Sequence, residues 1–168
     1  MSAVLELFPS ASESQFAPAR ATSIPIVVVV YGTPATQGSK KFVGMSKMGR
    51  AILVDDNKRN KPWRESVKLA ALAARNGAEP LDCPLRLRVV FTLPKPASAP
   101  KRRRIYPKSK PDLSKLIRSA EDALTDSGMI RDDSRIVEYS RLAKVFPGED
   151  PEALDCPGVR IVIEVIAA

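Results

Sequence analysis

Residues 111–128 leave the chain little choice but one amphipathic helix. Pro111 and Asp112 suit a helix start and Gly128 suits its end. Between them Leu113, Leu116, Ile117, Ala120, Ala123 and Leu124 recur at the spacing of a single apolar face. The spacing predicts a helix from about 113 to 127, with Ser114, Arg118, Glu121 and Asp122 projecting from its other face. A second helix is predicted from about 61 to 75. Asp55, Asp56 and Asn57 offer capping groups ahead of it, Gly77 stops it, and Trp63, Val67, Ala70, Ala71 and Ala74 form its stripe.

The remaining apolar segments have the look of strands. Residues 24–31 are a β-branched run that fits a buried strand, with Pro25 confined to its start. Residues 39–43 and 51–54 read as a hairpin across Gly44 and Gly49. In 85–93, Leu85, Leu87 and Val89 alternate with Arg86 and Arg88, the period of a half-buried strand. Residues 134–145 and 159–166 supply two closing strands around an acidic loop, 147–157. The fold class expected is α+β, a small mixed β-sheet with two principal helices. At 168 residues, 44% of them hydrophobic, the chain supports one core. Residues 1–22, rich in Ser, Ala and Pro without periodicity, are expected to be a disordered tail, leaving 23–168 as the domain.

Charge narrows the partners. Lys and Arg outnumber Asp and Glu by 27 to 19, and residues 95–118 hold nine basic residues against one acid, Asp112. A localised basic stretch that is broken by prolines stays solvent-facing and suits the backbone of a nucleic acid, although it also permits an anionic membrane surface or plain solvation. The longest apolar run is too short to span a bilayer and the amino terminus lacks a basic region ahead of its apolar residues, so a soluble cytoplasmic protein is expected. Cys83 and Cys156, each in a Leu-Asp-Cys-Pro tetrapeptide, match no zinc spacing and read as small residues at strand starts.

There is no histidine, which removes His triads, His-ligated zinc and a His base. Acid-base chemistry is left to Asp, Glu, Lys, Tyr or metal-bound water. Hydrolysing a phosphodiester needs carboxylates from separate elements around a divalent cation, plus a cation that stabilises the transition state. Asp112 at a helix start, Asp132 and Asp133 at a strand start, and Arg118 have those residue types. Each also has a plain structural use: Asp112 as a helix cap, Asp132 and Asp133 as a solvated turn, Arg118 with Asp122 as a surface pair.

The run Lys110-Pro-Asp-Leu-Ser-Lys-Leu-Ile-Arg-Ser-Ala-Glu-Asp-Ala-Leu124, followed by Gly128 and Asp132-Asp133, resembles the signature of the RusA family of Holliday-junction resolvases. That signature reads Asp-Leu-Asp-Asn-Leu, a Lys two residues on, Asp-Ala-Leu, a Gly and Asp-Asp, and the match covers 110–137 without a gap. Tyr31-Gly-Thr-Pro, Gln37-Gly-Ser-Lys-Lys41 and the Trp63 helix are more loosely similar to phage members. The resemblance implies a homodimer acting on branched DNA, a four-way junction, in a bacterial or phage-infected cell. It implies Mg²⁺, with Mn²⁺ as a substitute, on Asp112 and Asp133, assisted by Asp132.

Arg118 stands where the family has its catalytic Lys, which keeps the charge but excludes proton transfer. Ser114 stands where the family has a second catalytic Asp, and Lys115 replaces an Asn. Two expectations follow: Glu121 or Asp122 takes over the missing carboxylate, or the metal site is weakened and the protein binds junctions without cutting them. The DNA backbone is expected to lie on Lys40, Lys41, Lys101, Arg102, Arg103, Arg104, Lys108, Lys110 and Lys115. A third class, an RNA-binding module, is disfavoured by the few aromatic residues.

Overall fold

The computed structural model describes residues 24–37, 40–55, 57–100 and 103–167. The expected tail 1–22, Lys101 and Arg102 of the basic stretch, and the side chains of Lys40 and Lys41 lie outside the described residues. In chain order the elements are β1 (Ile26–Tyr31), β2 (Lys40–Met45), β3 (Ala51–Asp55), α1 (Asn60–Arg75), β4 (Leu85–Thr92), α2 (Leu113–Asp126), a 3-10 turn (Asp133–Arg135), β5 (Ile136–Val145) and β6 (Gly158–Val165). Four strands form one sheet in the order β1-β6-β4-β5, while β2 and β3 pair apart as a hairpin. β4 and β5 run parallel and the other neighbours antiparallel, so the sheet is mixed and the fold is α+β. A parallel pair needs a crossover, and α2 is that crossover.

Helix periodicity and strand alternation meet in one core. Leu85, Leu87, Val89 and Phe91 of β4 point to the same face as Val28 and Val30 of β1 and Ile161 and Ile163 of β6. Against them lie Trp63, Val67 and Ala71 of α1 and Leu116, Ile117, Ala120, Ala123 and Leu124 of α2. Each fully buried Leu, Ile or Val contributes about 1.5–3 kcal/mol relative to exposure, so the amphipathic α2 is held mainly by this apolar face. The α1 stripe fades sooner than its spacing predicts: Ala74 is exposed, one turn beyond the buried Ala71.

Polar ties set the two helices against each other. Ser119 Oγ donates to Asn60 Oδ1 at 2.7 Å, both residues buried, and Arg64 of α1 reaches Asp122 at 3.3 Å and Asp126 at 2.6 Å. α2 then stops at Gly128, whose φ of +67° is the left-handed conformation that favours glycine. Gly128 N–H bonds the Thr125 carbonyl at 2.9 Å and Met129 N–H the Leu124 carbonyl at 3.0 Å, a Schellman end.

β1 differs from the buried strand expected of its sequence. It is a sheet edge with Val28 and Val30 buried and Val27, Val29 and Tyr31 exposed. A continuous β-branched run reads alike whether one face is covered or both, and the edge position decides. On that second sheet face the acidic loop binds basic side chains: Glu152 pairs with Arg88 and Arg141, Asp150 with Arg141 and Arg104, and Glu149 with Lys95. Cys83 and Cys156 are free thiols. Among the described residues, no helix is long and apolar enough to cross a membrane.

Candidate functional site

The start of α2 is built by its neighbours. Lys144 Nζ, near the end of β5, donates to the carbonyls of Ser109 at 2.7 Å and Pro111 at 2.8 Å, pinning the segment that leads into the helix. On the other side Gln37 N–H bonds the Lys115 carbonyl at 3.3 Å. Asp112 is the N-cap residue, in extended conformation, and its carbonyl accepts the first helical bond from Leu116 N–H at 3.1 Å. Its carboxylate makes no capping bond, is about half exposed, and has Lys115 Nζ at 3.6 Å. Thr36, Lys110, Pro111, Asp112 and Lys115 line a groove of about 350 Å³ there.

The Asp132–Asp133 turn is held by a different set. Leu81 N–H bonds the Met129 carbonyl, Arg131 N–H bonds the Leu81 carbonyl, and Asp82 takes Arg135 at 2.6 Å and Arg131 at 3.7 Å. Asp132 Oδ1 accepts from Ser134 N–H at 2.9 Å. Hydrogen bonds from Ser134, with help from the charge of Arg135, hold the Asp132 carboxyl below the usual carboxylate range. Asp133 is exposed, and no Lys or Arg among the described residues pairs with it. Nearby, the Tyr139 hydroxyl of β5 donates to Glu121 Oε1. Burial pushes the Tyr139 phenol up strongly, and the bond to Glu121 and the charges of Glu121 and Asp133 push it further. Glu121 and Asp133 thus share the surroundings of one tyrosine.

The other expected participants separate. Asp122 accepts from Gln37 Nε2 at 2.9 Å and pairs with Arg64, so it faces α1 and away from Tyr139. The Arg118–Asp122 surface pair does not form; Arg118 is exposed without a carboxylate partner among the described residues, and Ser114 is exposed as well. Glu121 lies about 13 Å along the helix from Asp112 by rise alone. Among the described residues no group of three or more acidic, His or Cys side chains gathers into a ready metal site. Asp112 and Asp133 nonetheless offer charged oxygens that are spent neither on capping nor on buried ion pairs. That suits a hard cation which takes one or two protein carboxylates and fills its other positions from water and phosphate.

Of the basic residues, Arg103, Lys108 and Lys110 are exposed. Arg104 stacks over the Tyr106 ring at 4.9 Å and pairs with Asp150 at 3.3 Å, a carboxylate it shares with Arg141. Tyr139, Asp82 and Lys144 carry no sign of their roles in the sequence. A strand tyrosine, the acid of a turn and a strand lysine acquire them only from partners brought close by the fold. A family model described as Endodeoxyribonuclease RusA matches residues 32–164, a span that begins just after β1 and holds both helices, Asp112, Ser114 and Asp133. Comparison with curated proteins finds no match.

Proposed function

The chain belongs to the endodeoxyribonuclease RusA family, and from that premise we propose that it is a Mg²⁺-dependent nuclease that cuts four-way junctions or related branched DNA. Family membership implies an endodeoxyribonuclease, a hydrolase that depends in general on a divalent metal. The choice of Mg²⁺, the residues and the working dimer are the reading offered here. The observation that carries it is Asp112, a helix N-cap carboxylate that does no capping and opens onto a groove with Lys110 and Lys115.

In this reading Asp112 and Asp133 would hold the divalent cation against a DNA phosphate, with Asp132 beside Asp133. When bound, the divalent cation supplies charge for the attacking water and the leaving oxygen. Lys110 and Lys115 hold the phosphodiester at the groove, and Arg118 neutralises the transition state without giving up a proton. Glu121, which shares the surroundings of Tyr139 with Asp133, would be the stand-in for the carboxylate that Ser114 lacks; Asp122 is committed to Arg64. A two-fold dimer would present two such sites to the paired strands of a junction.

The test is a labelled four-way junction incubated with and without Mg²⁺. Asp112→Asn and Asp133→Asn should each lower cutting at least 100-fold while junction affinity stays within a few-fold, since phosphate contacts, not these acids, carry binding. Because Asp112 makes no capping bond, its Asn variant should keep wild-type stability. Near-normal cutting by either variant would refute the assignment. The exposed Ser114 favours one second reading, a junction binder that does not cut. Wild-type protein inert in both Mg²⁺ and Mn²⁺, yet tightly bound, would establish it.

A further inference from the structure

The groove at Asp112 is one end of a longer channel. It shares Thr36, Lys110 and Pro111 with a cavity of about 640 Å³, which in turn shares Thr33, Lys58 and Arg59 with a third of about 570 Å³ that ends on Tyr31, Trp63 and Ser66. Four cationic side chains line this path, Lys58, Arg59, Lys110 and Lys115, and Asp112 is its one acid among the described residues. Between the charges the walls are apolar: Pro94, Pro96 and Pro107 with Leu93 and Phe146.

Both walls are anchored. Asn57 Nδ2 donates to the Thr36 carbonyl at 2.9 Å, and Lys144 ties down Ser109 and Pro111. At the far end the largely buried Trp63 ring forms part of the lining.

We propose that this channel takes an unpaired segment of DNA strand, its phosphates on Lys58, Arg59, Lys110 and Lys115 and its bases against the proline and Phe146 walls, leading the strand past Asp112. This rests on the reading of Asp112 as the cutting site. The chemistry is that of single-strand tracks, which pair a positive groove with apolar faces that accept any base. A cavity of this volume lies within the range of small-ligand sites, about 300–1,000 Å³, and holds pieces of one strand rather than a duplex. The proposal accounts for two basic residues, Lys58 and Arg59, that lie far in sequence from the basic stretch.

Trp63 is the chain's one tryptophan, so its emission reports occupancy directly. Titration with a short oligothymidylate should change that emission saturably. Lys58→Ala and Arg59→Ala, both at exposed positions, should each weaken binding several-fold and reduce the slope of log affinity against log salt by about 0.7, the value for one single-strand phosphate contact. Arg59→Lys should restore most of the loss.

Unchanged affinity and slope in folded Lys58→Ala and Arg59→Ala proteins overturns the proposal. So does wild-type emission that oligothymidylate leaves unaltered. Junction cutting is measured alongside: a protein that never cuts but still gives the groove-dependent emission change loses the nuclease reading and keeps the strand track. Cutting with no groove dependence of oligothymidylate binding has the reverse meaning.

Discussion

Ser114 leaves the start of α2 one carboxylate short of the family pattern, and Glu121, a candidate to replace it, already accepts the Tyr139 hydroxyl. Ser114→Asp should therefore lower the Mg²⁺ concentration for half-maximal cutting several-fold, because a charged oxygen binds a hard cation far better than a hydroxyl. Glu121→Gln should shift it little. The opposite pattern, with Gln abolishing cutting and Asp bringing no gain, would assign the missing charge to Glu121. Gly158 is constrained for a simpler reason. A Cβ there would sit 2.3 Å from the Val30 carbonyl oxygen and 2.7 Å from Leu154 Cδ1, so Gly158→Ala must push β1 away from β6. The expected cost is about 1–3 kcal/mol, read as a lower denaturation midpoint. An unchanged midpoint would contradict the close pairing of these two strands.

The acidic loop between β5 and β6 works as an electrostatic clasp on the sheet. Asp150 has a side chain 3% exposed, bonded to Arg141 and Arg104, and those bonds hold its carboxyl below the usual range. Lys95 does the same for Glu149. Burial works against the ionised Glu152, but Arg141 and Arg88 outweigh it and its carboxyl too is lowered. Carboxyls depressed in the folded protein stabilise it above their unfolded values, near pH 4, and that stabilisation is lost as pH falls through their lower folded values. Chemical denaturation should thus show stability falling steeply between about pH 4 and pH 2. Asp150→Asn should destabilise at pH 7 by about 1–3 kcal/mol, by leaving Arg141 short of an acceptor, and should flatten that acid limb. A variant with the wild-type acid limb would show that the clasp contributes nothing.

Taken as a whole, the molecule is basic, with a formal net charge of +8, yet its charges are not equally available. Arg104 is paired with Asp150 while Arg103 is exposed with no partner among the described residues. Arg103→Ala should accordingly reduce the salt slope of duplex binding by about 0.9 and Arg104→Ala by clearly less; equal effects would show that DNA strips Asp150 from Arg104. Much that concerns single elements was legible beforehand. Both helices, their stop signals and all six strands lie where periodicity, Gly128 and Gly77 place them, and the residues around Asp112 and Asp133 already carried the family signature. Such features depend on neighbours within one turn or one hairpin, so the order of residues suffices to determine them. The sequence could not say that β1 is an edge with one open face, that Asp122 belongs to Arg64 and Glu121 to Tyr139, or that Lys58 and Arg59 join Lys110 along one groove. Each of those depends on which distant segments meet, and the packing of α1 and α2 on a single face of the sheet decides it.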